Sequence, residues 1–239
     1  MEAQVRTSPV IEQAPRREPA VEASIWSVLQ QAAMSQMAEL INALQEIAPQ
    51  PGSLVYVEAR RPSYDWNGWQ PILFSAIDLC THLQIGRMYL MPTQASAIDF
   101  LHFIAEQYPF PLNEVHTSAD PVFMNSVSTL AQHQFTSEAR KIGVLHTMVL
   151  DQSNHPILRV VSKYLFGGTF EGSVEKTSEE KVVAALVNFL FFNNNHRSLA
   201  TLGDLTPLQK LNLFPGYDKI SWFDPYRPVE LRKTGNNSR

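Results

Sequence analysis

Few side chains in this sequence are arranged for chemistry, and the common motifs are missing. The seven histidines do not show the tight spacing of metal-binding motifs. Cys80 lies in or beside an apolar run that we interpret as a buried strand, which indicates an inert core thiol. No nucleophile elbow, phosphate-binding loop or dinucleotide-binding fingerprint occurs. The carboxylates remain as candidate functional groups. Whether they can act together depends on the strands and helices that position them.

The composition indicates a folded chain without a strong basic character. Of its 239 residues, 44% are hydrophobic and 18% are charged, and the net charge is −4. This length suits one sizeable domain with appendages, or two small domains. The single cysteine excludes an intrachain disulfide and a cysteine-based zinc site. The apolar stretch 182–192 is too short to span a bilayer, and no signal-peptide core is present. We expect a soluble cytoplasmic protein.

The first part of the chain divides into a tail and a helix. Residues 1–22 contain prolines and charges without an apolar period, which is typical of a flexible tail. Residues 23–48 predict an amphipathic helix with one apolar stripe. The helix either packs on its own domain or offers this stripe to a partner or a second copy. The stripe residues predicted to bind a partner are Trp26, Leu29, Ala33, Met37, Leu40 and Leu44.

From Gly52 onward, short apolar runs alternate with helical patterns. The predicted strands are Leu54–Val57, Pro71–Ile77, Gly86–Met91, Glu114–Thr117 and Gly143–Leu150. Helices are predicted over 93–108, up to Lys141, over 156–166, and to about Asn193 from a capping box at Thr177 and Glu180. Strands followed by alternating helices and strands favour an α/β fold with a mixed sheet. We place the core domain at 52–210 and a C-terminal extension at 211–239.

Four segments resemble the RNase H-like catalytic core of retroviral-integrase-type (DDE) transposases. Leu54-Val-Tyr-Val-Glu58 resembles the first strand, and Leu73-Phe-Ser-Ala-Ile-Asp78 with Thr81-His82 resembles the second strand and its turn. Gly143-Val-Leu-His146 resembles the fifth strand. The set Asn194, Arg197, Leu202-Gly203 and Thr206-Pro207 is similar to the signature at the end of the core, with Ser198-Leu199 in place of its Pro-His. The resemblance covers about residues 52–210.

This resemblance implies phosphoryl transfer on DNA, with two Mg²⁺ or Mn²⁺ ions held by three carboxylates. Glu58 stands at the first position, where the family has Asp. The second position is Ser118 in one alignment and Asp120 in another, and Asp120 before Pro121 is also an ordinary turn pair. The third falls at Leu158, or at Val161 in an ungapped count from His146, and residues 152–170 contain no acidic residue.

We therefore expect an RNase H-like domain whose catalytic triad is lost, so that it is no enzyme and holds neither cofactor nor metal. The predicted role is a structural or adaptor protein in a larger, bacterial assembly, for example a secretion machine, with protein partners. The alternatives are a catalytically dead nucleic-acid-binding module and a divergent metal-dependent transposase or nuclease. Basic residues are scattered in short pairs such as Arg60-Arg61, which does not favour the nucleic-acid alternative.

Overall fold

The structure is a computed structural model that describes residues 35, 38–39, 41–61, 71–123, 134–149 and 179–226. The chain divides into two compact units, Met1–Glu39 and Leu40–Arg239. In the first unit, the described residues Ser35, Ala38 and Glu39 are helical. The sheet and its helices belong to the second unit, which begins at Leu40 and so takes in the end of the predicted helix 23–48.

One five-stranded sheet with the order β3-β2-β1-β4-β5 forms the centre of the second unit. Its first three strands are antiparallel neighbours, whereas β4 pairs parallel with both β1 and β5. This topology confirms the predicted mixed sheet. The strands are β1 Val55–Arg60, β2 Ile72–Asp78, β3 Gln84–Tyr89, β4 Glu114–Ser118 and β5 Leu145–Val149.

Helices lie before, between and after these strands. They are α1 over 41–47, α2 Gln94–Gln107, α3 Gln134–Lys141, α4 Glu179–Asn195 and α5 Pro207–Leu211. Thr93 is the N-cap of α2, as predicted, and its hydroxyl accepts a hydrogen bond from the backbone of Ser96. The helix predicted over 156–166 and the cap at Thr177 lie outside the described residues. None of the described helices is long and apolar enough to cross a membrane.

The main core lies between one face of the sheet and helices α2 and α3. All seven residues of β2 are buried, as its almost continuous apolar sequence predicts for a central strand covered on both faces. The aromatic rings of Phe74 and Phe100 stack with their centroids 5.5 Å apart, which ties β2 to α2. Ile220 and Phe223 are buried in the same cluster. The compact unit therefore includes part of the segment 211–239 that we had separated as an extension.

Two smaller apolar clusters cover the other face of the sheet. One joins Leu44 and Ala48, at the end of α1, to Tyr56 and Ile77 on the strands. The other places Val182, Leu186 and Leu190 of α4 against Leu73 of β2. These three residues of α4 are spaced four apart, so they lie on one face of the helix. The sheet is thus packed on both sides, and α1 contacts its own domain.

Replacing Leu186 by Ala should lower the free energy of unfolding by about 2–3 kcal/mol, because the side chain is only 2% exposed and fills a small cluster. Val183 lies on the same helix with 37% exposure, so Val183→Ala is the matched control and should cost less than about 0.5 kcal/mol. Urea denaturation of both variants measures the difference. Equal losses would show that α4 is a peripheral helix.

Candidate functional site

The adjacent ends of β1 and β4 bring two of the predicted positions together. Val57 pairs with Thr117 in the parallel ladder, so the next residues, Glu58 inside β1 and Ser118 at the end of β4, lie at the same level of neighbouring strands. Val57 and Thr117 are fully buried. Since successive side chains of a strand alternate between faces, Glu58 and Ser118 share the opposite face. The third position, Leu158, lies outside the described residues.

Glu58 forms an ion pair with an arginine of its own strand. Its Oε1 lies 3.1 Å from Nε of Arg60, and Nη2 of Arg60 donates to Oε2 at 3.3 Å. The pair is held in place because residues two apart on a strand point to the same face. The two side chains are 13% and 22% exposed. A cation that bound Glu58 would have to compete with this guanidinium.

Asp120 is engaged in a second ion pair. Nη2 of Arg61 donates to its Oδ1 at 3.1 Å, and Nη1 contacts the other oxygen. This hydrogen bond raises the pKa of Arg61 further above its ordinary value. The backbone N–H of Val122 also donates to Oδ1, at 3.0 Å. Asp120 therefore stabilises the turn into the short 3-10 helix Pro121–Phe123. This is the role of an ordinary turn residue before a proline.

Ser118 supplies a neutral hydroxyl where the resemblance places a carboxylate. The residue is 7% exposed, and its Oγ has no hydrogen-bond partner within the described part of the chain. A hydroxyl cannot replace the negative charge with which a carboxylate balances a divalent cation. In the same part of the chain, no three His, Cys, Asp or Glu side chains lie close enough to hold a metal ion.

Within the described residues, the acids near the ends of β1 and β4 are paired with arginines. Glu58 pairs with Arg60, and Asp120 pairs with Arg61. The sequence showed Arg60-Arg61 only as a short basic pair. The arrangement has the chemistry of structural ion pairs, since each carboxylate carries its own cation.

By contrast, the residues that carry the sequence resemblance hold the fold together. Asp78 ends β2 and is fully buried. It accepts hydrogen bonds from the backbone N–H of Gly52 at 2.9 Å and of Thr81 at 2.8 Å, and from the Thr81 hydroxyl at 2.6 Å. Burial raises the pKa of Asp78 to about 6, although these hydrogen bonds act in the opposite direction. Asp78 thus connects the turn after β2 to the segment before β1.

His82 belongs to the same turn and is 1% exposed. Its backbone adopts a φ of 61°, in the left-handed region that non-glycine residues seldom occupy. Its Nδ1 lies 3.2 Å from the hydroxyl of Thr201, in the segment after α4. Burial lowers the pKa of His82 to about 4, so the ring is neutral at ordinary pH. Its role in this structure is to join the turn to a distant segment.

His146 on β5 links three elements in a similar way. Its Nε2 lies 3.0 Å from the hydroxyl of Thr117 on β4, and its Nδ1 lies 2.8 Å from the hydroxyl of Thr136 on α3. The ring also packs edge-on against Phe135 with the centroids 4.7 Å apart. Both ring nitrogens are therefore used within the domain, which leaves none for a ligand.

The signature at the end of the core is structural as well. Asn194 is fully buried and makes two hydrogen bonds of 2.8 Å with the backbone of Gln84, one to the N–H and one to the C=O. Gly203 has a φ of 69°, which glycine adopts without strain. Thr206 caps α5, and Pro207 occupies its first turn. Asn194 thus fastens α4 to β3, and the other residues shape the turn and the start of α5.

The predicted partner-binding stripe is described only at its end. Leu44 is 5% exposed and packs against the strands. At this residue the alternative that the helix packs on its own domain therefore holds. Trp26, Leu29, Ala33, Met37 and Leu40 lie outside the described residues, and their role stays a prediction.

Solved structures of retroviral integrases are similar to this chain. The catalytic core domain of BIV integrase is 16% identical with a TM-score of 0.48, over 65% of this chain and 91% of that domain. The HTLV-2 integrase catalytic core domain in complex with magnesium is 15% identical with a TM-score of 0.43, over 67% of this chain and 95% of that domain. The simian T-cell lymphotropic virus intasome in complex with PP2A regulatory subunit B56 gamma is 15% identical with a TM-score of 0.45. This match covers 75% of this chain and 59% of that chain.

These likenesses concern the fold alone. No family model matches the chain, and no curated protein sequence is significantly similar to it.

Proposed function

We propose that this chain is a catalytically inactive integrase-fold domain that acts as a structural or adaptor subunit of a larger protein assembly. The main observation in favour is the charge balance at the ends of β1 and β4. Both carboxylates there are paired with arginines, and the residue beside Glu58 on the neighbouring strand is a serine. Two-metal phosphoryl transfer depends on carboxylates whose charge is available to the metals.

The residues that resemble the family support the same proposal. Asp78, His146 and Asn194 hold strands, turns and helices in place. A chain that keeps the residues needed for the fold and has lost those needed for the chemistry fits a role as a binding platform. The partners we propose are proteins, with the stripe from Trp26 to Leu40 as the contact element. A bacterial assembly such as a secretion machine would suit such a subunit.

The nucleic-acid-binding alternative receives less support from the site. Nonspecific DNA binding depends on Lys and Arg side chains that meet phosphates. Arg60 and Arg61 are engaged by carboxylates of the same domain, so a phosphate would have to displace Glu58 and Asp120. Binding to duplex DNA that weakens steeply as salt rises would favour this alternative over the adaptor role.

A cleavage assay tests the loss of catalysis. Supercoiled plasmid incubated with the full chain and Mg²⁺ or Mn²⁺ should stay intact, because the carboxylate set is incomplete. Glu58→Ala removes the acid at the first family position, and Glu138→Ala is the control, since Glu138 pairs with Lys141 on α3 instead. All three proteins should behave alike. Cleavage that Glu58→Ala abolishes and Glu138→Ala preserves would contradict the proposal.

A further inference from the structure

A cavity of about 500 Å³ lies on the face of the sheet that is opposite the main core. The end of α1, the turn after β2, residues 201–203 and α5 surround it. Its volume is within the range of small-molecule sites in proteins, about 300–1,000 Å³. None of the residues discussed at the ends of β1 and β4 lines this cavity, so it is separate from the integrase-like edge.

The walls of the cavity are mainly apolar. Leu44 and Ala48 come from α1 and the residue after it, Leu79 from the turn, Leu202 from the segment after α4, and Phe214 from the residues after α5. Leu44, Ala48, Leu79 and Leu202 are buried. They belong to the cluster that attaches α1 to the sheet, so the walls are part of a packed structure. Such walls suit the apolar body of a ligand.

One positively charged side chain, that of Lys210, lines the cavity. Its Nζ lies 5.8 Å from the centre of the Phe214 ring. Among the described residues, it forms no ion pair with a carboxylate, and no acidic residue lines the cavity. Burial raises the pKa of Cys80 to about 12 and lowers that of His82 to about 4, so both are neutral near pH 7.

We propose that this cavity binds a small molecule with an apolar body and one anionic group, which Lys210 holds through its ammonium group. An apolar site with a single cation favours a ligand of complementary charge, because the surrounding low-dielectric walls strengthen the attraction. The hydroxyl of Thr201 and the ring of His82 provide polar groups at the same wall. This site is independent of whether the domain catalyses or binds DNA.

The test uses 8-anilinonaphthalene-1-sulfonate, an apolar aromatic monoanion, with N-phenyl-1-naphthylamine as its uncharged counterpart. Fluorescence titrations of the full chain give the dissociation constants of both probes. Lys210→Met should weaken binding of the sulfonate by about fivefold or more and leave binding of the uncharged probe nearly unchanged. Lys210→Arg should retain the affinity. Lys219→Met is the control, because Lys219 is exposed and does not line the cavity.

Cys80 locates the bound probe, since it is the only cysteine and lines the cavity. Alkylation of Cys80 by N-ethylmaleimide is slow because the thiol is buried and its pKa is raised, so it is followed over hours at alkaline pH. Saturating sulfonate should slow it further in the wild-type chain, and far less in Lys210→Met at the same concentration. Two results would overturn the proposal. One is a sulfonate affinity that is the same in Lys210→Met and Lys219→Met, and the other is bound sulfonate that leaves Cys80 as reactive as before.

Discussion

Replacing Asp78 by Ala should lower the free energy of unfolding at pH 4 by about 3–5 kcal/mol. The carboxylate is fully buried and accepts hydrogen bonds from the N–H groups of Gly52 and Thr81 and from the Thr81 hydroxyl. Without it, these buried donors lose their acceptor, and each unsatisfied group costs about 1–3 kcal/mol. Asp218, an exposed acid of the same domain, gives the control Asp218→Ala, which should change stability by less than about 0.5 kcal/mol.

The pH dependence of the free energy of unfolding tests whether the carboxyl group of Asp78 is the source of this stability. Its pKa is about 6 in the folded state and about 3.9 in an unfolded chain. The folded state therefore holds the proton more tightly, and this contribution is complete below about pH 4 and is lost as the pH rises through about 6. Asp78→Asn lacks the titration. The wild-type advantage over Asp78→Asn in urea melts should shrink by about 3 kcal/mol from pH 4 to pH 7. A constant difference would contradict this role.

Asn194→Ala should also be strongly destabilising, by about 3–4 kcal/mol. The side chain of Asn194 hydrogen-bonds both the N–H and the C=O of Gln84, where β3 begins, and both residues are buried. Alanine would leave these two backbone groups without partners in the interior.

The control for this prediction is Asn188→Ala, because Asn188 is exposed on the same helix. Alanine has the higher helix propensity, so this variant should be as stable as the wild type or slightly more stable. Thermal or urea unfolding measures both variants. If Asn194→Ala were no less stable than Asn188→Ala, the signature at the end of the core would have no structural role.

The fold could be predicted because its strands are short and carry distinct local patterns. The apolar run of β2 predicted a strand buried on both faces, and Thr93 marked the start of α2. The boundary of the compact unit was harder to place. Ile220 and Phe223 pack in the main core although they lie beyond the predicted domain. Their segment is neither a helix nor a strand, so it has no hydrophobic periodicity from which this packing could be predicted.

The site could be predicted only as positions along the chain. The sequence placed Glu58 and Ser118 at the ends of strands, and the parallel register brings them together. The ion pair between Arg61 and Asp120 joins residues 59 positions apart. Such a contact depends on tertiary structure that no local pattern contains. The cavity beside Lys210 could not be predicted either, because four separate segments of the chain form it.

The most direct test of the central proposal is a calorimetric titration of the full chain with Mn²⁺. Glu58 and Asp120 are each engaged by an arginine, and Ser118 is uncharged. We therefore expect no binding heat at millimolar Mn²⁺ that differs between the wild type and Glu58→Gln. Saturable binding of one or two Mn²⁺ ions in the wild type, lost in Glu58→Gln, would contradict an inactive integrase-like domain.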